Sequence, residues 1–192
     1  MNVGEWSWKR ARLWPERLFL RQGDWSCTNR EFNERVNRMA NVLLARGVKK
    51  GDRVAVLMVN CSAFLEVFFA CAKTGAVSVP VNHHLAVPEL ARIVADCRPR
   101  VLIHSPGIAA AMEELRHGGA PVECYLSHAG EALAAASGFD DPADPASAAE
   151  PAVPWEVALC DPLLVMFTSG TTGTLKGAVL SHENFLFGAI HS

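Results

Sequence analysis

The most regular pattern in the chain is an apolar stripe with helical spacing between Thr28 and Gly47. The stripe recurs at intervals of four, three and four residues, and its members are Phe32, Val36, Met39 and Leu43. Thr28 and Glu31 stand three residues apart, as the two ends of a capping box do. Gly47 is a natural C-terminal stop. The pattern therefore predicts an amphipathic helix over 29–46.

Beyond this helix, short apolar runs alternate with helical patterns. The run from Arg53 to Val59 is almost continuously apolar, which is typical of a strand buried on both faces of a parallel sheet. Further strands are predicted near Leu18–Arg21 and at 76–81, 101–104 and 121–126, and helices at 63–74, 88–97 and 107–117, with Ser62 capping the first. This alternation predicts an α/β fold with a mainly parallel sheet flanked by helices and right-handed crossovers. The first helix would then pack on one face of that sheet.

The alternation breaks down after the last of these strands. Ten of the 24 residues from Ala129 to Ala152 are alanine, and prolines and aspartates are scattered among them. We expect a mobile surface loop or linker over 138–154.

Composition narrows the class of protein. The chain has 192 residues, of which 50% are hydrophobic and 20% charged, which excludes global disorder and predicts a sizeable core. No apolar run approaches the ~20 residues of a membrane span, and no secretory signal is visible, so the cytoplasm is the expected location. The net charge of −2 argues against nucleic acid as the main partner.

Charge is nevertheless uneven along the chain. Residues 1–53 hold 12 Lys or Arg and six Asp or Glu, a local charge of +6. Tryptophan and leucine are interleaved with these basic residues, which favours a solvated, arginine-rich helical face. Docking of a phosphate-rich ligand or of another domain is the alternative.

Neither cysteine nor histidine predicts a metal site. The six cysteines have no C-x-x-C spacing and are interpreted as reduced, mostly small core residues. His83 and His84 are the only tempting pair, but neighbours on an extended segment point to opposite faces.

One segment carries candidate chemistry. A short apolar strand at Leu163–Phe167 runs directly into ten residues with five hydroxyl side chains, three glycines and one lysine. These residues are Thr168, Ser169, Gly170, Thr171, Thr172, Gly173, Thr174, Leu175, Lys176 and Gly177. Glycines allow backbone N–H groups to surround an anion, hydroxyls donate further hydrogen bonds, and Lys176 supplies a compact positive charge. The segment is suited to a polyphosphate at the carboxyl end of a strand.

Better-known phosphate motifs do not fit this loop. A Walker A motif requires Ser or Thr after the lysine, where this chain has Gly177, and the glycines at 170, 173 and 177 do not have the dinucleotide-binding spacing. A flexible Gly/Thr linker is the alternative, but a predicted strand precedes the loop. A further strand at Ala178–Leu180 and a helix over 182–190 capped by Ser181 follow it, and order on both sides favours a functional loop.

The loop resembles the signature of the AMP-forming acyl-CoA synthetases, members of the adenylate-forming superfamily. The resemblance extends to Gly51–Val56, Phe64–Glu66, Ala70–Ala76 and Val79–Asn82, and to the helix after Thr28. It covers nearly the whole chain. It implies that residues 1–192 are the N-terminal part of an AMP-binding synthetase domain, without its C-terminal domain.

The resemblance also implies a reaction. In this family a carboxylate attacks the α-phosphorus of ATP to give an acyl-adenylate and pyrophosphate, and the thiol of coenzyme A then displaces AMP; Mg2+ assists the first half. By resemblance, the loop over 168–177 holds the β- and γ-phosphates. Lys176 is the catalytic residue that neutralises developing charge, and the hydroxyls and glycines around it bind the nucleotide. A fatty or other apolar carboxylic acid is the expected substrate.

Two departures from the family pattern matter. The family usually has proline before the loop lysine, where this chain has Leu175, and leucine leaves an unbound loop freer. Family members also extend far beyond 192 residues, so the Mg2+-associated acidic residue, most of the acyl pocket and the mobile C-terminal domain have no counterpart here. We expect the isolated chain to be catalytically incomplete. The alternatives are a nucleotide-binding or self-associating module, a homo-oligomer, or a chain complemented by a C-terminal fragment.

Overall fold

A computed structural model describes residues 2–127, 147–169 and 175–191. Six α-helices lie in these ranges: α1 Glu5–Leu13, α2 Asn29–Ala45, α3 Ser62–Thr74, α4 Val87–Cys97, α5 Ala109–His117 and α6 His182–Ile190. Eight strands accompany them: β1 Leu18–Gln22, β2 Trp25–Thr28, β3 Arg53–Leu57, β4 Val77–Pro80, β5 Val101–His104, β6 Cys124–Ser127, β7 Pro162–Ser169 and β8 Leu175–Ser181. A single 3-10 turn at Pro106–Ile108 precedes α5.

The main sheet has six strands in the order β6-β5-β3-β4-β7-β8. The first five are parallel, and β8 is an antiparallel edge strand paired with β7. This confirms the α/β class and the mainly parallel sheet. The antiparallel edge was not predicted. Strands β1 and β2 form a separate antiparallel hairpin.

Helices cover both faces of the sheet, and strand β3 shows how. Its residues Val54 and Val56 pack with helices α2 and α3 on one side. Its residues Ala55 and Leu57 pack with α4 and α5 on the other. Successive side chains of a strand point to opposite faces, so a strand between two helical layers must be apolar throughout. The prediction that the first amphipathic helix packs on one face is confirmed.

Two helix starts follow the predicted capping chemistry, and one does not. Thr28 Oγ1 accepts from the Glu31 N–H at 3.3 Å, which completes a capping box. Ser181 caps α6 in the same way. The prediction for Ser62 is wrong: it is the first helical residue, and its N–H donates to Gln22 Oε1 at 2.9 Å. A side chain from the β1–β2 hairpin thus supplies the acceptor that a cap would have supplied.

The histidine pair also differs from expectation. His83 and His84 lie in a turn after β4, and their ring centroids are 4.0 Å apart rather than on opposite faces. The turn, unlike an extended strand, brings adjacent side chains together. Within the described ranges no group of three His, Cys, Asp or Glu side chains is arranged to hold a metal ion. All six cysteines are free, and Cys160 is exposed rather than in a core.

The segment before β7 lies against helices α2 and α3. Asn41 Nδ2 donates to the Ser147 carbonyl at 2.7 Å, and Trp155 Nε1 donates to the Thr74 carbonyl at 2.8 Å. Residues 138–146 of the expected mobile loop lie outside the described residues, so that expectation stays a prediction. In the ranges described, no helix is long and apolar enough to cross a membrane.

Candidate nucleotide-binding site

The candidate site is built on the hairpin of β7 and β8. The strand register sets Thr168 opposite Lys176 and Ser169 opposite Leu175. Thr168 Oγ1 donates to the Lys176 carbonyl at 3.4 Å, a long hydrogen bond across the hairpin. The two ends of the glycine- and hydroxyl-rich segment are therefore held side by side. Residues Gly170, Thr171, Thr172, Gly173 and Thr174 lie outside the described residues, so their predicted roles stay predictions.

The position of the hairpin in the sheet suits a ligand. Strand β7 is parallel to its neighbour β4, so Thr168 and Ser169 lie at the same edge as the carboxyl ends of the other parallel strands. Ligands of open α/β sheets bind at this edge. The strand is anchored below the site, because Leu163 and Leu164 are buried while Val165 and Phe167 pack against the core on the α4–α5 side.

Lys176 is the charged group of the site. Its side chain is exposed, and within the described part of the chain it makes no ion pair with a carboxylate. An unpaired ammonium keeps its charge and its three donors available for an anionic ligand. Thr168, on the paired strand, is exposed as well.

The two remaining described residues of the segment have packing roles. A Cβ placed on Gly177 would meet Val165 Cγ1 at 3.0 Å and the Phe167 ring at 3.6 Å, so glycine lets β8 approach its neighbour closely. Leu175, where the family usually has proline, packs against the core on the α4–α5 side. Its partial burial gives this end of the hairpin an apolar anchor.

A buried histidine supports the far end of the hairpin, which sequence reasoning missed. His182 begins α6 directly after β8, and its Nδ1 accepts from the Val3 N–H at 3.2 Å. Burial lowers the pKa of His182, although the carboxylate of Asp161 opposes this shift. In the sequence, the only feature that distinguishes His182 is its position directly after the capping residue Ser181. Its hydrogen-bond partner, Val3, lies 179 residues away in the chain.

Comparisons with known proteins agree with this geometry. A family model described as "AMP-binding enzyme" matches residues 7–192. The chain is 41% identical over 190 residues to a feruloyl-CoA synthase of Amycolatopsis sp., covering 99% of this chain and 35% of that protein. It is 39% identical over 185 residues to a long-chain-fatty-acid–CoA ligase of Mycobacterium tuberculosis, covering 95% of this chain and 35% of that protein.

A solved structure of an anthranilate CoA ligase in complex with anthranoyl-AMP superposes with a TM-score of 0.86 at 25% identity. The superposition covers 99% of this chain and 35% of the ligase. The chain thus spans about a third of the length of these relatives, and it corresponds to their N-terminal portion. The family model matches nearly the whole length of the chain, and the loop composition and the hairpin at the carboxyl edge of the sheet agree with that match. The chain therefore belongs to the AMP-binding enzyme family, and the relatives named above are acyl-CoA ligases.

Proposed function

We propose that the β7–β8 hairpin and the segment it closes bind the triphosphate of ATP. The observation that carries this proposal is the strand register, which sets Thr168 beside Lys176 at the carboxyl edge of the sheet, with the Lys176 ammonium free of carboxylates in the described residues. A hydrogen bond to a charged group contributes about 1.5–3 kcal/mol. Several such bonds and a fixed positive charge suit the β- and γ-phosphates.

The reaction proposed for the whole family domain is acyl activation. A carboxylate oxygen attacks the α-phosphorus of ATP, the bond from that phosphorus to the pyrophosphate oxygen breaks, and an acyl-adenylate forms. The thiol of coenzyme A then displaces AMP and gives the thioester. In this scheme Lys176 positions the departing pyrophosphate and neutralises its charge.

The substrate class follows from the relatives. A feruloyl-CoA synthase and a long-chain-fatty-acid–CoA ligase both act on acids with a large apolar body, according to their names. We propose an apolar carboxylic acid as the substrate of the complete domain. Because this chain spans 35% of those proteins, we expect no pyrophosphate exchange from the 192 residues alone.

Calorimetric titration of the chain with ATP tests the proposal. We expect saturable binding that Lys176→Ala weakens by about tenfold or more, the loss of one charge-assisted contact. Lys49→Ala is the matched control, because Lys49 is another exposed lysine and lies in the turn before β3. Equal affinities for the parent chain and Lys176→Ala would remove the lysine from the site, and no binding by either would refute the nucleotide proposal for this chain.

A second candidate function rests on a different observation. Four large apolar side chains are exposed along β7, β8 and α6: Met166, Val179, Phe187 and Ile190. Exposed apolar surface of this kind favours association, either with a second copy or with the rest of a family domain. Sedimentation at increasing concentration tests the first of these, since self-association raises the mass, and a monomer at high concentration argues against a second copy.

A further inference from the structure

A cavity lies at the amino edge of the main sheet, opposite the edge that carries the hairpin. Its walls are residues 52–53, 98–100 and 120–123, which lie at or just before the starts of β3, β5 and β6. Its volume of about 420 Å³ is within the range of small-molecule sites. We refer to it as the amino-edge cavity. None of its residues belongs to the β7–β8 hairpin.

Arg53 is fixed in the wall of this cavity by three backbone carbonyls. Its Nε donates to the Cys97 carbonyl at 2.7 Å, its Nη2 to the Arg98 carbonyl at 2.9 Å and its Nη1 to the Gly51 carbonyl at 3.2 Å. The first two carbonyls belong to the C-terminal end of α4, so the guanidinium offsets the partial negative charge of that helix end. A guanidinium has five N–H donors, and two of them remain without an acceptor among the described residues.

Arg98 contributes a second guanidinium to the cavity from an unusual backbone position. Its φ of 43° is the only positive value among the non-glycine residues in the described ranges. A helix that ends in this left-handed conformation usually has glycine there, because a Cβ is strained. The side chain of Arg98 is exposed. A charged residue at a strained position of this kind is an outlier that indicates a functional role.

The charge of the cavity favours an anion. Both carboxylates of its wall lie beside Arg100: Glu123 Oε2 is 3.1 Å from its Nη2, and Asp52 Oδ2 is 3.9 Å from its Nε. Arg53 and Arg98 have no carboxylate partner in the part of the chain that the structure describes. Two positive charges are therefore available at one cavity, and the donors of Arg53 are already oriented by the backbone.

We propose that the amino-edge cavity binds a small organic phosphate monoester, whose phosphate is held by Arg53 and Arg98. The organic part of the ester lies against the apolar wall formed by Pro99, Pro121 and Val122. Planar guanidinium groups form paired hydrogen bonds to phosphate oxygens. The volume of the cavity and its apolar wall favour an ester over free phosphate. This site is separate from the proposed nucleotide site, which lies at the other edge of the sheet.

Calorimetric titration of the 192-residue chain with glycerol 3-phosphate at constant ionic strength tests the proposal. We expect saturable binding that is tighter than that of inorganic phosphate by about threefold or more, because only the ester contacts the apolar wall. Arg98→Gln is expected to weaken binding of the ester about tenfold, the loss of one charge-assisted contact. The matched control is Arg92→Gln, which should bind as the parent does, since Arg92 is an exposed arginine of α4 outside the cavity.

Circular dichroism and the unfolding midpoint establish that each variant is folded. Absence of glycerol 3-phosphate binding, or equal affinities for the parent and Arg98→Gln, would overturn the proposal. Lys176→Ala discriminates between the two sites, because weaker binding of the ester by that variant would place it at the hairpin and not in the cavity. Equal affinities for inorganic phosphate and the ester would overturn the assignment of an organic ligand.

Discussion

Two lysines of this chain have opposite surroundings. The Lys73 side chain, on the last turn of α3, is only 5% exposed and donates to three acceptors within 2.9 Å. Lys176, on strand β8, is exposed and has no carboxylate partner among the described residues. A buried ammonium must have all three donors satisfied, so it is committed to the fold. An exposed ammonium without a partner contributes little to the fold and is free for a ligand.

The acceptors of Lys73 come from distant parts of the chain. Asn33 and Asn37 on α2 offer their Oδ1 atoms at 2.9 and 2.7 Å, and Glu150 offers Oε2 at 2.6 Å. The amide groups of the same two asparagines donate to the other carboxylate oxygen, Glu150 Oε1, at 2.7 and 3.1 Å. The network therefore ties α2, α3 and the segment that leads to β7 at one point.

The electrostatics of this network are asymmetric. Desolvation lowers the pKa of Lys73, and the hydrogen bond and charge of Glu150 oppose that shift. Desolvation tends to raise the pKa of Glu150, but its bonds from Asn33, Lys73 and Asn37 outweigh this and hold it below the usual value. The carboxylate is half-exposed, so it loses less hydration than the ammonium does.

Lys73→Met is expected to have the largest effect on folding. It leaves two buried amide oxygens and a carboxylate without their shared donor, and we expect the free energy of unfolding to fall by about 3 kcal/mol. The lower end of the range for a broken buried ion pair applies, because water can reach Glu150. Urea denaturation at neutral pH measures the loss.

The matched variant is Lys176→Met, which should change the free energy of unfolding by less than about 0.5 kcal/mol. If the two variants were equally stable, the contrast between a structural and a ligand-binding lysine would be wrong. If Lys176→Met were the less stable one, a stabilising role for that lysine would replace the proposed nucleotide contact.

The second prediction compares a buried asparagine of the Lys73 network with a more exposed asparagine one turn further along α2. Asn37 is 2% exposed, and its Nδ2 donates to the Ala148 carbonyl at 2.9 Å. Asn41, one turn further on, makes two similar bonds at 2.7 and 3.1 Å but is partly exposed. We expect Asn37→Ala to cost about 2 kcal/mol of unfolding free energy and Asn41→Ala about 0.5 kcal/mol. Similar losses, measured by urea denaturation, would show that neither the burial of Asn37 nor its bonds with Lys73 and Glu150 add to the cost.

The sequence predicted those parts of the fold that depend on neighbours along the chain. The capping box at Thr28, the helix cap at Ser181 and the apolar strand Val101–His104 are local patterns, and the structure has them. The tie between Lys73 and Glu150 spans 77 residues, and no local pattern connects them. The only sequence feature related to this network is the i, i+4 spacing of asparagines along α2, and that spacing is typical of an ordinary polar helix face.

The same difference between local and long-range features explains how much of the candidate site the sequence predicted. Composition alone singled out the segment over 168–177, because few folds place so many hydroxyls, glycines and a lysine together. The pairing of Thr168 with Lys176 depends on strand register, and the antiparallel direction of β8 depends on the hairpin. No short stretch of sequence determines either of these features. The buried contact of His182 with the N-terminal segment also depends on residues that are distant in sequence.

The smallest expected effect is a pH dependence of the free energy of unfolding, which originates at His182, directly after strand β8. The folded chain holds the pKa of His182 below its ordinary value of 6.5, because burial disfavours the charged ring; Asp161 opposes this shift and Lys50 reinforces it. An unfolded chain therefore binds a proton at His182 more readily than the folded one does. Stability from this group is complete above the unfolded pKa and is lost as pH falls through about 6.5 toward the lower folded value.

Urea denaturation between neutral pH and about pH 5 measures this loss, which should be smaller than the losses expected for Lys73→Met and Asn37→Ala. His182→Asn is the matched variant, because an amide oxygen can accept from the Val3 N–H in place of Nδ1 but does not titrate in this range. The difference in stability between the parent and this variant should shrink as pH falls, since only the parent has a proton to take up. A constant difference would show that protonation of His182 does not cause the pH dependence of stability.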